Sequence, residues 1–147
     1  MRRAAAASAA ALCLVLMGCG SSALSDRQLR ADATRICTIT RARTNRIAVP
    51  SSPAGGERFL RRGIAALRPE IAGLRVLSAP SALGNTYGRA LDALTFELAE
   101  IEVAVARLHQ GADPIQIFRI LASRMAALET QANGAWTSLQ IPACLQR

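Results

Sequence analysis

The sequence predicts an all-α fold, an antiparallel four-helix bundle clasped by one disulfide, and three observations carry that expectation. Apolar residues recur at helical spacing through four long segments. The connections between those segments are mostly short, and the breaks carry Pro or Gly, which favours antiparallel neighbours. Two cysteines, Cys37 and Cys144, bracket most of the folded part. Composition agrees: the chain is 51% hydrophobic but only 3% aromatic, so its core must be built from Ala, Leu, Ile and Val, and Ala and Leu favour helices. The 147 residues suffice for one domain and not comfortably for two.

The N-terminal eighteen residues read as an export signal, to be set aside before fold reasoning. Arg2 and Arg3 form a charged start. The run from Ala4 to Met17 is uncharged and mostly apolar, yet shorter than the roughly 18 residues a spanning helix needs. Leu16-Met17-Gly18-Cys19 follows. Its Leu, its small residue before the cleavage point and its Cys after it resemble the lipobox of bacterial lipoproteins, with Met17 standing where a small residue is usual. The resemblance implies removal of residues 1–18 and lipidation of Cys19 through a diacylglyceryl thioether carrying palmitate-type chains. Two such chains anchor stably, at roughly 0.8 kcal/mol per buried CH₂. Residues 19–24 are then a tether and 25–147 the helical domain, on the extracytoplasmic side of the cell membrane.

The first helix starts near Ser25, where Ser25 and Gln28 suit a capping box. Leu29, Ala33, Ile36, Cys37, Thr40 and Ile47 fall on one arc, and Arg27, Arg30, Arg35, Arg41, Arg43 and Arg46 fall outside it. Residues 48–56, with two prolines, two serines and a glycine pair, are a loop. The second helix runs from about Glu57 to Ser78 on Leu60, Ile64, Leu67, Ile71 and Leu74. Pro69 interrupts it without changing the apolar register, so a single kinked helix is expected. The third has the longest seam: Leu83, Tyr87, Leu91, Leu94, Leu98, Ile101, Val105 and Leu108. Gly111-Ala112-Asp113-Pro114 is a stop followed by a start, with Asp113 as cap, Pro114 at the first helical position and Gln116 completing a capping box. The fourth helix uses Ile117, Leu121, Met125, Leu128 and Ala132 to about Leu139, and Ile141-Pro142-Ala143-Cys144 is a tail.

With Cys13 in the signal segment and Cys19 lipidated, Cys37 and Cys144 are the two thiols left. An exported chain meets an oxidising compartment, where such a pair forms a disulfide. Two inert buried thiols are the alternative, and two isolated thiols do not make a zinc site. In an up-down-up-down bundle the end of the fourth helix lies near the start of the first, which suits the pairing. The ordered set Ala-Thr-Arg-Ile-Cys37, Leu-Ser-Ala-Pro80, Leu108-His-Gln-Gly-Ala-Asp113 and Ile-Pro-Ala-Cys144 resembles small actinobacterial exported helical proteins over most of the mature chain. That resemblance implies a helical domain with paired cysteines and carries no activity onto any residue.

No residue set reads as catalytic or metal-binding, and no cofactor is implied. His109 is the only histidine and stands at a helix C-terminus, where it complements the dipole. Glu97, Glu100 and Glu102 flank the third seam and read as a solvated face. A di-iron site would need Glu-x-x-His pairs on facing helices, and the chain has none. Trp136 and Tyr87 read as core or rim packing. All basic residues are arginines; residues 19–75 hold eleven against four acids, and residues 76–147 hold five against six. The basic half thus follows the tether, and Arg27, Arg30, Arg35 and Arg41 are candidates for contact with anionic lipid headgroups or an acidic envelope polymer. Nucleic acid is a poor partner for an exported protein. The expected function is that of a non-enzymatic, membrane-anchored envelope lipoprotein acting as a helical interaction module with a protein partner. The alternative is a carrier holding a small apolar ligand between its helices.

Overall fold

The computed structural model describes residues 23–145. The expected signal segment 1–18, the expected lipidation site Cys19 and most of the expected tether 19–24 lie outside the described residues. Four helices form, α1 (Asp26–Thr44), α2 (Gly56–Arg75), α3 (Ser81–His109) and α4 (Pro114–Ser138), with short 3₁₀ turns at Pro53–Gly55 and Pro142–Cys144. The described residues contain no strand. The fold is the expected all-α bundle with its Cys37–Cys144 clasp; the two Cα atoms are 5.1 Å apart.

Helix boundaries follow local chemistry. Ser25 and Gln28 cap α1 reciprocally: Ser25 Oγ accepts from Gln28 N and Gln28 Oε1 accepts from Ser25 N at 3.0 Å. Asp113 Oδ1 accepts from Ile115 N at 3.1 Å, with Pro114 opening α4. Gln116 stays exposed and does not complete a box. Pro69 lies inside a continuous α2, which stops at Arg75 rather than at Ser78. Helix α1 stops at Thr44, so Ile47 falls in the turn beyond it.

Two of the helix ends share one geometry. After α3, Gly111 takes a left-handed φ of 85°, and Ala112 N donates to Arg107 O at 3.1 Å. After α4, Gln140 does the same at φ 59°, and Ile141 N donates to Trp136 O at 3.0 Å. Both are Schellman stops, in which a reversed residue lets the following N–H reach the carbonyl five residues back. The second one aims Pro142–Cys144 back at α1.

Neighbouring helices in the chain pack against one another, and α1 meets the Pro142–Cys144 turn. The start of α1 and the end of α4 share one pole. Leu24 N donates to Ser78 O at 2.8 Å, and Arg30 Nε donates to Leu139 O at 2.9 Å. The α1–α2 loop and the α3–α4 turn share the other pole, where Glu57 Oε1 lies 3.5 Å from His109 Nδ1. These are called the entry pole and the far pole.

Each pole has its own core. The entry-pole core takes Leu29, Ala33 and Cys37 from α1, Leu74 from α2, Tyr87, Ala90 and Leu94 from α3, and Trp136, Leu139, Ile141 and Cys144 from the last part of the chain. The far-pole core is Leu60, Ile64, Ile101, Ala104, Val105, Ile117 and Leu121, with no residue of α1.

Candidate functional site

The far pole holds two neighbouring recesses of the described surface. Behind them, Gly55 and Gly56 let the chain pass where a side chain would not fit. A Cβ on Gly55 would come within 2.7 Å of Pro50 Cβ, and one on Gly56 within 2.5 Å of the Phe118 ring. The glycine pair thus draws the 48–55 loop against the start of α2 and seats α2 on α4. Two contiguous clefts result. One, of about 450 Å³, is apolar, with Val49, Pro50, Phe59, Ile115 and Phe118 among its walls. The other, of about 790 Å³, shares Val49, Pro50 and Phe59 and continues along Arg58, Arg61 and Arg62.

Both clefts are open to solvent, and the apolar rim is unusually bare: Val49 is 82% exposed and Ile115 58%. The pole is also strongly basic. Residues 41–62 and 107–119 hold eight arginines and two carboxylates, whereas the remaining described residues hold seven arginines and eight carboxylates. Glu57 is engaged by Arg61 at 2.7 Å and faces His109. The hydrogen bond from Arg61, and then the charges of Arg61 and His109, hold its carboxyl below the ordinary range. Arg58 and Arg62 form no ion pair among the described residues.

The four arginines singled out from the sequence differ in exposure and partners. Arg27 is exposed. Arg35 is exposed and pairs with Asp32 at 3.2 Å. Arg30 is half-buried, bonded to the Leu139 carbonyl at the end of α4 and 4.0 Å from Asp26. Arg41, also half-buried, lies in the last turns of α1 toward the far pole. Positive charge is therefore densest away from the chain entry, because Arg107 and Arg119 join the loop arginines there, and a division by sequence halves separates these groups.

The expected solvated acidic face divides. Glu100 pairs with Arg124 at 2.9 Å and Glu102 with Arg68 at 2.8 Å. Glu97, by contrast, is 5% exposed, and Glu70 on α2 only 1%. Glu97 stands three residues after Leu94 and four before Ile101, which puts it on the buried stripe; Glu70 stands likewise relative to Leu67 and Leu74. That spacing is a signal the sequence already carries. Tyr87 and Trp136 are core residues, edge-to-face with ring centroids 6.0 Å apart. Tyr87 donates to the Leu74 carbonyl at 2.7 Å, and burial pushes its phenol well above the usual value.

Among the described residues no group of three or more His, Cys, Asp or Glu is placed to hold a metal ion, and no helix is long and apolar enough to cross a membrane. The groove between α3 and α4 has a volume of only about 10 Å³. Comparison with protein-family models, with curated proteins and with solved structures returns no match for this chain.

Proposed function

We propose that this chain is a lipid-anchored protein of the cell envelope, acylated on Cys19 and held on the extracytoplasmic side of the membrane, whose bundle serves as a non-enzymatic interaction module. The observation that carries this reading is the separation of chain entry from the basic, apolar-rimmed recesses. Leu24 is tied to the entry pole by its bond to Ser78. From Cys19 to Leu24 the chain spans at most about 18 Å, so an acylated Cys19 keeps the entry pole near the bilayer. Helices α3 and α4, of 29 and 25 residues, carry the far pole about 40 Å away, where it can meet a partner. The disulfide suits an oxidising envelope. Arg27, in the first turn of α1, and Arg35, midway along it, are exposed, which supports contact with anionic headgroups at roughly 1 kcal/mol each at most.

Mass spectrometry of the membrane fraction tests the anchor. An acylated Cys19 as the N-terminal residue is expected, with Cys19→Ala losing it. A soluble product starting elsewhere, at equal yield from Cys19→Ala, overturns the anchor. Photo-crosslinking in intact cells from Val49 at the far pole, from Phe96, exposed on α3, and from Ala31, exposed on α1, tests the module: a discrete adduct from at least one of these positions supports it, and none from any of them overturns it.

A further inference from the structure

We propose that the far pole binds an acidic peptide segment carrying one bulky apolar side chain, the side chain entering the apolar cleft and the carboxylates meeting Arg58 and Arg62. The proposal rests on the interaction-module reading and names the partner chemistry of that module.

Three observations converge on this occupant. First, the two clefts are contiguous, sharing Val49, Pro50 and Phe59, so one short segment can fill both. The apolar one, about 450 Å³, has room for a large side chain and part of its backbone. Second, exposed Val49 and Ile115 at its mouth leave apolar surface for a partner to cover. Third, the charge is one-sided: eight arginines against two carboxylates in the segments that build the pole. Glu57 is already engaged by Arg61, while Arg58 and Arg62 on the same cleft form no ion pair among the described residues. A planar guanidinium matches a carboxylate in a two-pronged hydrogen bond, and a partner that brings carboxylates satisfies the complementarity.

The same geometry disfavours other anions. An acidic polysaccharide or polyphosphate brings charge but no apolar group for the cleft. An anionic bilayer brings both, yet it presents a flat surface where this pole offers recesses.

The test uses the full chain in nanodiscs of zwitterionic lipid. Its probes are fluorescein-labelled pentapeptides with two Glu on each side of a central Trp, Phe, Leu or Ile, read by fluorescence anisotropy. Controls carry a central Ala, or Lys in place of Glu. At least one acidic apolar peptide should bind, the Ala peptide should bind roughly tenfold more weakly, and the Lys peptides should not bind. Arg58→Gln with Arg62→Gln should weaken binding roughly tenfold, and salt should weaken it further as the screening length shrinks. Val49→Ser, at a largely exposed position that spares the fold, should weaken it severalfold with Trp136 fluorescence unchanged. No binding by any of the four acidic apolar peptides, binding indifferent to the Arg variants, or preference for phosphatidylglycerol vesicles overturns the proposal. Failure of Cys19 acylation, or a crosslink from residue 96 alone, bears on the anchor or on the working face and is read separately from peptide affinity.

Discussion

The two poles solve the same packing problem with different means. At the entry pole all four helices and the C-terminal turn converge on Trp136, Tyr87 and the Cys37–Cys144 bond, and side chains such as Leu29, Leu74, Leu139 and Ile141 are fully buried. At the far pole three helices share a smaller core whose buried side chains are all aliphatic, flanked by half-buried Phe59 and Phe118, and α1 contributes nothing to it. A bundle closed and stapled at one end can leave the other loosely covered, and the cover there is the 48–55 loop, held by close approaches at Gly55 and Gly56. Stability and surface chemistry are thereby divided between the ends.

Breaking the staple is the most severe challenge to this division. Cys37→Ser with Cys144→Ser should lower unfolding free energy by about 4–5 kcal/mol, since the bond closes a loop of 107 residues in the unfolded chain. Denaturant unfolding of the oxidised protein and of the variant measures it. A loss below about 1 kcal/mol would mean that the entry pole does not depend on its clasp.

Matched truncations of the two cores compare them directly. Trp136→Ala, at a fully buried site edge-on to Tyr87, should cost about 3–5 kcal/mol; Leu121→Ala, 8% exposed in the far core, should cost about 2–3 kcal/mol. Thermal unfolding of both gives the contrast, and equal losses would erase it.

The two Schellman stops sharpen the comparison further. Gly111 occupies its left-handed position without strain, so Gly111→Ala should cost about 1 kcal/mol. Gln140 occupies the equivalent position with a side chain, so Gln140→Gly should leave stability unchanged or raise it by up to about 1 kcal/mol. Opposite signs in a pair of melting curves are the expected result.

The smallest effect lies at the far-pole surface. The hydrogen bond from Arg61, with the charges of Arg61 and His109, lowers the folded-state pKa of Glu57. Its stabilising contribution is therefore present above the unfolded pKa and is lost as pH falls through the folded one. Solvent screening keeps that contribution small. NMR titration should place the Glu57 carboxyl below the ordinary glutamate range and return it toward that range in Arg61→Gln.

The helices were legible because their signals are local. Ser25 with Gln28, Asp113 with Pro114, and the seams of α2 and α3 each lie within a few residues of the structure they specify. The disulfide was legible from the cysteine count together with the expectation of export. Other features needed the packed chain. Alanines such as Ala90 and Ala93 are fully buried because α3 packs against both α2 and α4, so its buried surface is wider than the leucine seam. Glu97 carries the spacing of a buried residue, but its charge argued for solvent. The candidate site was the least legible: Val49 and Arg58 are near in sequence to each other but far from Ile115, Phe118 and Arg107.

By itself the sequence determined the helices and the caps at Ser25 and Asp113, because periodicity and capping act over short distances, and it pointed to the antiparallel order through short connections and to the cysteine pair through their count. Only the tertiary structure decided which residues share a pole. Loop 48–55 and turn 109–114 meet because α2 and α3 are antiparallel and α4 returns beside α3, which brings arginines from both halves of the chain together. It also decided that α1 closes the bundle at one end alone, since the reversed Gln140 turns Cys144 back to Cys37 there and nothing equivalent draws α1 into the far core.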